Sequence, residues 1–74
     1  MDLKSLQAFI HLADSYHFGK SAEALHLSPS TLSRIIQRLE QEVGSDLLQR
    51  DNRSVTLTPA GQKFLGFAQQ QVDS

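Results

Sequence analysis

The chain has 74 residues, which sets one domain with a small core. It contains no cysteine, so disulfides and thiolate metal sites are excluded, and a reducing cytoplasm is the fitting compartment. The formal net charge of −1 excludes a uniformly basic surface, so any polyanion partner needs positive charge segregated onto one face. His11, His17 and His26 are scattered without metal-ligand spacing and read as buried or surface histidines; no cofactor is expected. No apolar run approaches the roughly 18 residues of a membrane span, and no signal-peptide pattern opens the chain.

Asp2 is a good N-cap for a first helix, and Leu3, Leu6, Phe9, Ile10 and Ala13 form its apolar stripe. That helix is expected to end near Asp14–His17. His11 and Asp14 lie three apart on it, but with no nucleophile beside them they read as a solvated surface pair. Phe18-Gly19 marks a break. A short second helix follows, from about Lys20 to His26, with Gly19 as N-cap and Ala22 and Leu25 inward. His26 stands where many such turns carry glycine, and histidine tolerates left-handed backbone better than a β-branched residue does.

The next helix organises the chain. Ser28 caps it and Pro29 takes its first position, where the missing N–H costs nothing. Leu32, Ile35, Ile36, Leu39 and Val43 make one apolar stripe. Ser30, Ser33, Arg34, Gln37 and Gln41 recur on another side, with Arg38 at its edge. From Ser28 to Leu39 there are two arginines, four small hydroxyl side chains, one glutamine and no acid. A solvated face ordinarily mixes acids with bases. A donor-rich face without carboxylates suits DNA, and the exposed helix N-terminus beside Ser30 and Thr31 suits a phosphate. The plainer reading is a serine-rich amphipathic core helix. Two short helices joined by so tight a turn make the helix-turn-helix pattern, with a plain antiparallel helix pair as the alternative.

Gly44 is expected to end this helix. Leu47–Arg50 and Ser54–Thr58 read as two short strands around the turn-prone Asp51-Asn52-Arg53, Val55 and Leu57 alternating with polar residues. A hairpin directly after a recognition helix is a wing. Arg50 and Arg53 near its tip are placed to reach the DNA backbone or minor groove; solvated arginines on a structural hairpin are the alternative. Thr58-Pro59 starts a last helix with Ala60, Phe64, Leu65, Phe67, Ala68 and Val72 on a wide apolar surface. That excess predicts packing against a second copy through Phe64, Leu65, Phe67, Ala68 and Val72, the alternative being that the helix closes the core. The helix is expected to continue past Ser74.

Three runs carry a family resemblance: Leu6 to Phe18, Ser21 to Ser28 and Ser33 to Glu40. With Gly44, Leu47-Leu48, Arg50 and Val55 to Gly61, they resemble the N-terminal domain of LysR-type transcriptional regulators. Leu48 departs from the family, which usually has phenylalanine there. The resemblance implies a mainly α winged helix-turn-helix over residues 1–58, with a three-helix core, a β-hairpin wing over 47–57 and the start of a linker and dimerisation helix over 59–74. It implies sequence-specific binding of double-stranded promoter DNA by a homodimer, with recognition helix 29–43 in the major groove. The implied contacts are Ser28, Pro29, Ser30, Thr31, Ser33, Arg34 and Arg38 from the helix, Arg53 in the minor groove and Arg50 near it. Arg34 is the first choice for reading a base, since its fork matches guanine O6 and N7. A separate effector-binding domain is implied beyond this sequence. Within the family the wording is most similar to a regulator of branched-chain amino acid biosynthesis, whose small-molecule effectors would be acetohydroxy acids. The competing function is a winged-helix protein–protein interaction module, which the net charge suits. No nucleophile–base pair or phosphate loop supports an enzyme.

Overall fold

In the computed structural model, which describes residues 1–51 and 54–73, the order is α1 (Leu3–Ser15), α2 (Phe18–Ala24), α3 (Pro29–Val43), β1 (Leu48–Arg50), β2 (Val55–Leu57) and α4 (Pro59–Asp73). Local chemistry sets each boundary. The Asp2 carboxylate accepts the Ser5 N–H at 2.8 Å and opens α1. Tyr16, in left-handed backbone at φ 54, closes it by donating its N–H to Leu12 O. The α1 stripe is buried at Leu6, Phe9 and Ala13 but not at Leu3, which is 54% exposed because the helix start projects past the core.

The second helix starts earlier than the sequence suggests. His17, not Gly19, is its N-cap: the ring Nδ1 accepts the Lys20 N–H at 3.0 Å, as a neutral imidazole can. The helix also stops at Ala24, before His26. His26 adopts φ 59, the left-handed turn expected of it, and Leu27 N–H returns to Ala22 O at 2.8 Å. His11 is no solvated partner of Asp14. Its Nδ1 lies 2.7 Å from the Ser21 hydroxyl, which is fully buried and also lies 2.6 Å from Ser15 Oγ, so the three tie α1 to α2.

In α3 the cap is as the sequence indicates: Ser28 Oγ accepts the Thr31 N–H at 3.2 Å, with Pro29 at the first position. Leu32, Ile36 and Leu39 are buried, Ile35 is half-buried, and Val43 is exposed. Gly44 at φ 84 ends the helix. The two strands pair antiparallel, Leu48 opposite Leu57 and Arg50 opposite Val55. Leu47 and Leu48 are both buried, so leucine fills the position under the wing. Thr58 closes the hairpin onto α4: its hydroxyl donates to Asp46 O at 2.6 Å and accepts the Gly61 N–H at 2.9 Å.

One core joins these pieces, centred on Phe9, Leu12, Leu32, Ile36, Leu39 and Leu47. Helix α4 lies along α1, where Phe64 meets Phe9 edge to face at 5.3 Å between ring centroids. Among the described residues no helix is long and apolar enough to cross a membrane.

Candidate nucleic-acid interface

The cap at Ser28 leaves the start of α3 at the surface, and the 3.6-residue period then puts Pro29, Ser30, Arg34, Gln37, Arg38 and Gln41 in solvent. Thr31 and Ser33 are half-buried beside them. At the helix start Ser28 Oγ also donates to Thr31 Oγ1 at 2.8 Å and lies 3.2 Å from Ser30 Oγ, a cluster of three hydroxyls around the free backbone donors.

The two acids of α3 are both engaged, Glu40 by the wing and Glu42 at the far end of the helix, where it borders the same groove as Arg38. Glu40 Oε2 accepts the amide of Leu47 at 2.8 Å and that of Leu48 at 3.3 Å. Glu42 pairs with the amino group of Met1 at 2.6 Å. The outer face from Ser30 to Gln41 therefore carries Arg34 and Arg38 with no carboxylate of α3 among them, and Glu42, just beyond, is neutralised by the Met1 amino group. Asp2 borders the shallow groove between the start of α1 and α3, with Lys4, Ser5, Thr31, Arg34 and Arg38, and its carboxylate is engaged as the α1 cap. Hydrogen bonds from the Ser5 hydroxyl and backbone N–H hold that carboxyl below its ordinary value, so it stays ionised.

Arg50 does not extend outward from the wing. Its guanidinium sits over the Phe18 ring, 4.4 Å from the centroid, and Nη1 donates to Ser33 Oγ at 3.1 Å. Arg53 lies outside the described residues. Glu40 is the functional residue that sequence reasoning missed. Its signal was indirect: the buried amides of Leu47 and Leu48 follow a helix end and need an acceptor.

On α4 the expected uncovered surface needs correction at two positions. Phe64 and Ala68 are buried, at 8% and 0% exposure, because they pack into the chain's own core against α1. Phe67 is 46% exposed, and Leu65 and Val72 are half-buried. Leu65 and Val72 line an open groove with Ile10, Ala13 and Leu25. Among the described residues no cluster of histidines and acids is arranged to hold a metal ion.

The family model for bacterial regulatory helix-turn-helix proteins of the lysR family matches residues 3–62. The chain belongs to this LysR family. Among its LysR relatives, the transcriptional activator IlvY of Salmonella typhimurium is 63% identical over 70 residues, covering 95% of this chain and 24% of that protein. The chain thus spans about a quarter of the length of that curated relative. Its fold is the winged helix of LysR DNA-binding domains solved on DNA. The BenM DNA-binding domain in complex with the benA site 1 DNA superposes with a TM-score of 0.91 at 37% identity, over 99% of this chain and 82% of that one. The CbnR DNA-binding domain in its DNA complex gives 0.94 at 34% identity, over 99% and 84%. In this winged-helix fold the β1–β2 hairpin is the wing, directly after α3.

Proposed function

We propose that this chain is the DNA-binding part of a cytoplasmic, dimeric LysR-type transcriptional regulator that reads double-stranded promoter DNA. The observation that carries the reading is the outer face of α3: Arg34 and Arg38 exposed, hydroxyls clustered at a capped N-terminus, and Glu40 and Glu42 both engaged. Such a face meets phosphate without repulsion and offers donors to base edges. Ser28, Ser30 and Thr31 hold a backbone phosphate, Ser33 and Arg34 face bases, Pro29 contributes apolar shape, and Arg38 continues the contact along the groove. Arg53, which lies outside the described residues, is proposed as the minor-groove contact on the family resemblance alone. The same face argues against a protein-docking module, which a neutral or acidic surface would favour.

Two copies joined through Phe67, Leu65 and Val72 of α4 place two recognition helices in successive major grooves. The likeness to IlvY supports a role in branched-chain amino acid biosynthesis, with acetohydroxy acids sensed by an effector domain that follows in the full-length regulator.

Selection of duplexes from a random pool by this chain, then titration of the selected and a scrambled duplex across a salt series, tests the reading. A dyad-symmetric selected sequence, bound tightly and with affinity falling steeply as salt rises, is the expected result. A pool that yields no enriched sequence overturns it.

A further inference from the structure

We propose that Arg50 is a positioning residue: it braces the wing against the recognition helix and biases the Ser33 hydroxyl toward donating a hydrogen bond to DNA. The inference rests on the DNA-binding reading of α3 and adds to it a rule for what Ser33 selects.

Three elements meet on this one planar cation. Arg50 is the last residue of β1 and is paired with Val55 of β2. Its guanidinium lies on the ring of Phe18, the first residue of α2, which itself packs against the core. From that seat Nη1 donates to Ser33 Oγ, on the second turn of α3. Wing, α2 and α3 are thereby tied at the surface. Only a flat, delocalised cation does both jobs, since a lysine ammonium cannot lie on the ring and direct an in-plane N–H at the hydroxyl together.

The consequence for Ser33 follows from its inventory. A serine hydroxyl has one proton and two lone pairs, so a free one contacts either a donor or an acceptor on a base edge. Arg50 occupies a lone pair from the wing side. One lone pair and the proton remain, and a cation donating to the oxygen polarises the O–H so that donation is favoured, which suits guanine O6 or N7, adenine N7, thymine O4 or a phosphate oxygen. The amino groups of adenine and cytosine are disfavoured there. Arg50 thus sharpens specificity without touching a base.

The test compares wild type with Arg50→Met, which keeps the stem and loses every donor, and Arg50→Lys, which keeps the charge and loses the planar fork. Each is titrated on the selected and scrambled duplexes across the salt series, alone and with Ser33→Ala. Both Arg50 variants are expected to bind the selected duplex about fivefold more weakly. The scrambled duplex should change less than about twofold and the salt slope should be unchanged. In the Ser33→Ala background the loss should shrink to under about twofold, since the two act as one unit. A slope reduced by about 0.9 in Arg50→Met and restored in Arg50→Lys overturns the proposal and makes Arg50 an ordinary phosphate contact. Losses that simply add to that of Ser33→Ala also overturn it.

Geometry is read without DNA: Arg50 side-chain proton resonances should lie upfield, and return to ordinary positions in Phe18→Leu. If they do not move, the brace is absent. Wild type binding both duplexes alike, with the Phe18-dependent shift intact, would instead mark failure of the DNA reading on which the donor role depends.

Discussion

Gly61 stands where the first turn of α4 passes the wing, and a Cβ there would collide with the carbonyl of Leu47. That carbonyl is also held by the Thr58 N–H at 3.1 Å, so it cannot simply withdraw. Gly61→Ala is therefore expected to destabilise the fold by ~1–3 kcal/mol, the range for forced overpacking, read as a lower urea midpoint. Gly66, five residues on in the same helix, has open space around its missing Cβ. Gly66→Ala should stabilise by ~0.4–1 kcal/mol through helix propensity and a less free unfolded chain. Asp2 gives a pH signature at the same scale. Its folded carboxyl lies below the ordinary value of 3.8, through the Ser5 hydrogen bonds. Its contribution is therefore complete above that value and is lost as pH falls through the lower, folded one. Urea unfolding of wild type and Asp2→Ala should show a deficit above the ordinary value of 3.8 that narrows as pH falls below it.

The helices were legible because their signals are local. Capping residues at Asp2 and Ser28, proline at position 29 and the three- and four-residue stripes depend on neighbours in the chain, and the boundaries of α1 and α3 follow from them. The misreading of α2 came from His17, whose ring nitrogen caps as well as a serine oxygen does but carries no such prior in sequence. Burial was harder. The spacing of Phe64, Leu65, Phe67, Ala68 and Val72 records an apolar face but not how far round α4 the first helix reaches, which only the α1–α4 packing decides. That division predicts two different phenotypes. Phe64→Ala removes a buried ring from its contact with Phe9 and should cost ~3–5 kcal/mol in urea unfolding. Phe67→Ala loses only the contact of a half-exposed ring with Phe64, 5.7 Å between centroids, and should cost about 0.5–1.5 kcal/mol in the monomer while weakening self-association in sedimentation equilibrium.

At the scale of the molecule, a chain of net charge −1 reaches a polyanion through the way its charges are parted. The sequence shows the acid-free run from Ser28 to Leu39; it does not show that Glu40 turns back to the Leu47 and Leu48 amides or that Glu42 meets the Met1 amino group. Those contacts join residues that are not neighbours in the chain and have no spacing that announces them, and the same is true of Arg50 folding onto Phe18 and Ser33. The central claim is that the outer face of α3 reads base edges, and Arg34 tests it most directly because it is exposed and packs into no core. The measurement is the affinity of wild type and Arg34→Ala for the selected and the scrambled duplex at one salt concentration. A loss of ~1–3 kcal/mol on the selected duplex with a much smaller loss on the scramble is the predicted result. Unchanged affinity for the selected duplex would contradict the assignment of this face.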